Sequence, residues 1–252
     1  MSLRIAPVFF LSVGFTVMAR EPSGTAILRR AAEAYKSLKS ESVEATVVTE
    51  MKTFRTETPI AGWIARPGKL RFEVTNSMIG SQTISDGRST WKYVPSFGQY
   101  TRTPAFPNIF PVPEGSADIL IGAHIMDRLH SAKLLRREKL TVDGKPVDCD
   151  VIEAAYTPER PNPGPPRTKT FWVDIRRKLI LKASSLVRMD SSEAAGPLEM
   201  AQSISVNSIK LNTRMPDSLF VFIPPEGARE VSELTPPGGK PQAPPKVDID
   251  RE

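Results

Sequence analysis

The sequence predicts a mainly β fold with a helical contribution, an α+β chain built on one antiparallel sheet. Three observations predict it. Short segments alternate apolar and polar residues with period two. Asp-Gly turn signals separate them. The 24 prolines and 15 glycines favour many turns over long helices. The strands number about ten or eleven, and no βαβ alternation appears, so the sheet should be antiparallel.

The two ends are read as lying outside the fold. "MSLR" carries one arginine, and "IAPVFFLSVGFTVMA" is an apolar run of 15 residues. Val17-Met18-Ala19 then offers small or short residues before Arg20, the order of a secretory signal peptide cleaved after Ala19. The run is shorter than the roughly 18–20 residues a membrane span needs. No cysteine lies near the cleavage site, so the mature N-terminus is expected to carry no lipid. From Ser232 onward, "SELTPPGGKPQAPPKVDIDRE" has almost no apolar side chains and is expected to stay disordered. The roughly 210 residues between the two ends suit one large β-rich domain or two small ones.

The first element inside these bounds is a helix from Thr25 to Ser40, with Leu28, Ala31, Tyr35 and Leu38 at helical spacing and Ser23 or Thr25 as its cap. "VEATVVTEM" follows as a strand, with Val43, Ala45, Val47 and Met51 on one face. "KLRFEVT" sets Leu70, Phe72 and Val74 against Lys69, Arg71 and Glu73. An Asp-Gly turn at 86–87 leads into "STWKYVP", with Trp91 and Tyr93 on one face, and a second turn leads into "QYTRT".

"PAFPNIFPVPEG" holds four prolines among Phe106, Ile109, Phe110 and Val112, so it has no regular structure. "SADILIGAHIMDRLHSAKLL" reads as a second helix, apolar over much of its circumference. A hairpin around Asp143-Gly144, a proline-rich loop, a hairpin around Asp174 to Lys178 and the strand "MAQSISVNSIKLN" come next. "SLFVFIPP" is read as the last strand, with Phe220 and Phe222 turned inward. So many half-apolar strands need an apolar partner layer. Either the sheet curls on itself, or a cavity stays open between sheet and helices.

No catalytic constellation is present. There is no nucleophile elbow, no His-Glu-x-x-His and no Gly-rich phosphate loop. His124 and His130 are six apart, which does not suit a metal pair on a helix. Cys149 is read as a packing residue, and Asp148 and Asp150 as a solvated strand face. No catalytic residue, metal or cofactor is expected. The net charge of +6 is spread along the chain, which argues against a nucleic-acid footprint.

Three stretches, taken together, resemble a known family. "GWIARPGKLRFEV" at Gly62, "TISDGRSTWKYVPSFGQYTRTP" at Thr83 and "DSLFVFIPPEGAREV" at Asp217 occur in the order seen in the LolA-like and LolB-like lipoprotein carriers. The resemblance spans about Thr25 to Val231 and implies that residues 20–231 are one lipid- or lipoprotein-binding domain, a monomer. It implies an unclosed antiparallel β-barrel covering helices, with a hydrophobic cavity for acyl chains, in a periplasmic protein that moves lipoproteins or lipids toward the outer membrane. The partners implied are lipoprotein acyl chains or other lipids, and sorting proteins of the inner and outer membranes. A sensor or interaction module that binds a lipoprotein or a regulatory protein is the alternative on the same fold. Leu70, Phe72, Val74, Trp91, Tyr93, Phe220 and Phe222 would line the cavity. Arg66, in "WIARP", would gate it by holding a lid that contains Phe106, Ile109 and Phe110. The long segment from Arg136 to Arg177 departs from the minimal carrier pattern and leaves the cargo open.

Overall fold

The structure, a computed structural model, describes residues 23–75, 80–105, 119–120, 122, 125–157, 167–189 and 198–237. Helix α1 (Gly24–Ser37) opens it, with the Ser23 side chain accepting from the Ala26 amide at 3.3 Å. Ile27, Leu28, Ala31, Ala32 and Tyr35 form its buried stripe. It stops short of Ser40 because Leu38 adopts an extended backbone and Ser40 already belongs to the first strand.

That strand, β1 (Ser40–Met51), starts a meander through β2 (Phe54–Ala65), β3 (Lys69–Val74), β4 (Ser81–Asp86), β5 (Ser89–Val94) and β6 (Gln99–Pro104). A second meander runs through β7 (Leu129–Val142), β8 (Lys145–Tyr156), β9 (Arg167–Asp174), β10 (Ile180–Met189) and β11 (Leu198–Leu211). A short β12 (Arg229–Glu230) pairs in parallel with β6; all other pairings are antiparallel. The meanders join through β1 and β11, giving one twelve-stranded sheet in the order β12-β6-β5-β4-β3-β2-β1-β11-β10-β9-β8-β7. Its terminal strands do not pair with each other, so the barrel is unclosed. The second meander curls far enough for the Asp143 amide, in the β7–β8 turn, to donate to Asn207 O of β11 at 2.8 Å.

The core lies on the face that α1 covers. The helix stripe meets Val43, Ala45, Ile60, Ile64, Leu70 and Phe72 of the first meander, and Ile152, Phe171, Leu181, Ile204 and Ile209 of the second. Tyr35 ties these parts together. Its hydroxyl donates to Ile119 O at 2.7 Å and accepts from the Ile180 amide at 3.2 Å. The chain passes so close to the Tyr35 ring at Gly122 that a Cβ there would sit 2.0 Å from it, and Gly122 has φ 52°.

Two expected elements differ. Of the second expected helix, the described part holds Ile119–Leu120 as helix, then a turn, and β7 already begins at Leu129. Lys133 to Arg137 pair with β8 there, and the hydrogen bonds of that ladder override the local helical spacing. The expected last strand "SLFVFIPP" is a 3-10 turn at Asp217–Phe220 followed by unpaired extended chain. Pro216 precedes the turn, and Pro224 and Pro225 lack the amides that a ladder requires.

Phe106, Ile109, Phe110, the residues read as a signal peptide and most of the C-terminal tail lie outside the described residues. Contact with the sheet continues past Val231, since the Thr235 amide donates to Gln99 Oε1 at 3.0 Å.

Candidate functional site

Register fixes which side chains share the helix-side face. In an antiparallel ladder, directly opposed residues point to the same side. One row across the sheet is Glu41, Ile64, Leu70, Ser85 and Thr90; the next is Val43, Gly62, Phe72, Thr83 and Lys92; a third is Ala45, Ile60 and Val74. The face is therefore apolar over β1–β3 and hydroxyl-bearing over β4–β5, where Thr83, Ser85 and Thr90 are buried. Gly62 leaves a slot that the Leu120 side chain fills: a Cβ on Gly62 would meet Leu120 Cδ2 at 2.7 Å.

The seven residues expected to line one cavity do not share a face. Leu70, Phe72 and Val74 belong to the helix-side rows. Trp91 opposes Ile84, which opposes Arg71; Tyr93 opposes Gln82, which opposes Glu73. Arg71 and Glu73 alternate with Leu70, Phe72 and Val74, so Trp91 and Tyr93 stand on the outer face. Phe222 joins them there. Its ring centroid is 6.0 Å from Trp91, 6.1 Å from Tyr93 and 5.2 Å from Tyr100. Phe220 is buried in the 3-10 turn beside them, and the turn is tied down by Lys69 to Asp217 at 2.7 Å and Arg71 to Leu219 O at 3.3 Å. The C-terminal segment is thus a strap across the outside of β3–β6.

Arg66 lies at the end of β2, where its amide donates to Lys39 O at 2.9 Å. Its guanidinium Nη2 donates to Glu41 Oε1 at 3.0 Å. The partner seen for Arg66 is thus a carboxylate of β1 rather than a lid carbonyl. The Glu41 side chain is 0% exposed and that of Arg66 22%. Burial raises the Glu41 carboxyl to about 7, against the opposing pull of the Arg66 charge and hydrogen bond. Glu41 Oε2 and Arg66 Nη1 are both buried without a hydrogen-bond partner. Sequence reading missed Glu41. The signal was its place two residues before Val43, on the inward parity of β1.

The remaining chemical candidates are accounted for by their neighbours. Burial pushes the Cys149 thiol up to about 12, helped by Asp174, Asp148 and Asp150, so it is a poor nucleophile. Asp148 takes Lys139 at 2.6 Å and Asp150 takes Arg137 at 3.1 Å, each a separate pair across β7–β8. His130 is exposed on β7, and His124 lies outside the described residues. Among the described residues, no group of His, Cys, Asp and Glu could hold a metal ion, and no helix is long and apolar enough to cross a membrane. A groove of about 640 Å³ lies on the outer face over the β1–β11 seam. Its lining mixes hydroxyls and charges, among them Ser184, Ser203, Lys182 and Arg55, with the apolar side chains of Val48, Leu186 and Ala201.

Fold and site together define an unclosed antiparallel half-barrel over a helix, with an apolar inner floor and one buried ion pair. The chain is similar to a LolA superfamily protein from Nitrosomonas europaea (17% identity, TM-score 0.38, covering 80% of this chain and 98% of that one). It is also similar to LprF from Mycobacterium bovis (13% identity, TM-score 0.43, covering 80% and 95%). MucB in the MucA/MucB complex of Pseudomonas aeruginosa is a further likeness (15% identity, TM-score 0.38, covering 79% of this chain and 61% of that one). No family model and no curated protein matches the sequence.

Proposed function

We propose that this protein is a non-catalytic carrier of the cell envelope that holds acyl chains of lipoproteins or lipids on the helix-side face of its half-barrel. The observation that carries this reading is the Gly62 slot. It lies in an apolar floor of Val43, Ile60, Ile64, Leu70 and Phe72, and the side chain now seated in it belongs to Leu120, which is not part of the sheet. An alkyl chain has the width to replace a leucine side chain there. Each methylene moved out of water contributes about 0.8 kcal/mol, so affinity grows with chain length and needs no reacting group. The N-terminal charge and apolar order supports export to the periplasm, and movement of cargo toward an outer-membrane acceptor follows from the motif resemblance.

Native mass spectrometry of the protein purified from its own envelope tests the reading. A co-purifying acyl species is expected. A ligand-free protein that also leaves an apolar dye and fatty acyl probes unbound overturns it.

A second reading, a module that binds a regulatory protein, is favoured by one observation. Val221 and Ile223 flank Phe222 on the strap and are 51% and 79% exposed, an apolar pair presented to solvent beside the aromatic cluster. Loss of a stoichiometric partner on Ile223→Asp, with acyl binding unchanged, would support it.

A further inference from the structure

The least satisfied group in the described chain is the Glu41–Arg66 pair. A buried ion pair offsets its desolvation only when its remaining lone pairs and protons are also met. Here they are not: Glu41 Oε2 and Arg66 Nη1 are both buried and both lack a partner. Glu41 is held in place from both sides, since β1 pairs it with Leu211 of β11 and Ile64 of β2. Its row continues into Leu70, so one end of the pair faces the apolar floor on which the acyl chain would lie.

The two open positions differ in chemistry. Arg66 Nη1 can only donate; ionised Glu41 Oε2 can only accept. A group that completes both must offer one hydrogen and one lone pair together. A hydroxyl does so on one atom, and a secondary or primary amide on two. A free carboxylate satisfies the guanidinium but meets the Glu41 charge. An ammonium satisfies the carboxylate but meets the arginine.

We propose that Glu41 Oε2 and Arg66 Nη1 form a head-group subsite that selects neutral acyl lipids, those carrying a hydroxyl or an amide, over free fatty acids. The proposal rests on the acyl-binding reading and names which acyl compounds that face accepts. Glu41 sets the selectivity by excluding an anion; Arg66 supplies the donor. Arg66 is the charged side chain that hydrogen-bonds Glu41, at 3.0 Å, so the discrimination resides in this pair.

The test is displacement of an apolar dye, N-phenyl-1-naphthylamine, at pH 8 by 1-monopalmitoylglycerol, palmitamide and palmitate. The parent is expected to prefer the glycerol ester and the amide over palmitate by about tenfold or more, the effect of one hydrogen bond to a charged group. Comparing the ester with the amide tells which neutral head is taken better. Glu41→Gln, which keeps the shape and adds a donor, should bring palmitate to within about threefold of the neutral lipids. Should Glu41→Gln fail to fold, the double variant Glu41→Gln, Arg66→Leu leaves no buried charge and is expected to lose all head-group preference while still binding the dye. If the dye and all three lipids leave the parent unbound, the acyl-binding reading itself fails and the subsite with it. If all three bind alike, or if the preference survives both variants, the subsite is wrong and acyl binding stands, with a buried water completing the pair.

Discussion

The two faces of β3–β5 carry aromatic and aliphatic side chains in similar number, yet they are built differently. On the helix side, Leu70 and Phe72 are 0% and 1% exposed and join a cluster that spans both meanders. On the outer side, Trp91, Tyr93 and Tyr100 are only half-buried, and a single strap covers them through Phe222. The inner face is a core that β1–β3 share with the helix and the second meander; the outer face is a local patch closed by a chain segment from far along the sequence. An alternating pattern states that a strand has two faces. It does not say which of two apolar faces the rest of the protein will cover.

Four measurements would break or sharpen this contrast. Phe72→Ala should destabilise most, by about 4 kcal/mol in denaturant unfolding, because it removes a fully buried ring from the shared core. Next comes pH. Glu41 in the folded protein keeps its proton up to about pH 7, above its ordinary value of 4.5. The stability this provides is full below about pH 4.5 and is lost as pH rises through 7, a difference of about 3 kcal/mol between pH 5 and pH 8. Urea unfolding at the two pH values should show it in the parent and not in Glu41→Gln. Phe222→Ala should cost less, about 1–2 kcal/mol, and should redshift Trp91 fluorescence as water reaches the cluster. A loss as large as that for Phe72 would show the outer patch to be core as well. The smallest effect belongs to Asp217→Asn. Its ion pair with Lys69 is solvent-exposed, so stability in moderate salt should not change detectably.

Much of the fold was legible because the signals are local. The Ser23 cap, the Asp143-Gly144 turn and the Asp174–Lys178 turn depend on a few residues each, and all three form as the sequence predicts. β7 is masked at its start by helical spacing and is fixed by its long ladder with β8. The site was less legible. Leu70 and Phe72 alternate with charges, which marks their face. Trp91 and Tyr93 alternate with Thr90, Lys92 and Val94, and register with β4 alone decides their side. Arg66 stood out by its motif, but its partner Glu41 lies 25 residues away and meets it only because β1 and β2 pair end to end.

The β1–β11 seam bears on how the molecule is made. Val43 lies opposite Ile209, so the first strand synthesised completes its ladder with nearly the last. Each meander can zip through hairpins of low sequence separation, whereas the seam must close a loop that contains all the strands from β2 to β10. Until β11 arrives, β1 is an open edge with unpaired amides, a template for any other extended chain. Joining the two meanders is therefore the slow, concentration-sensitive step of assembly, and a chain that ends before Leu198 would present that edge permanently.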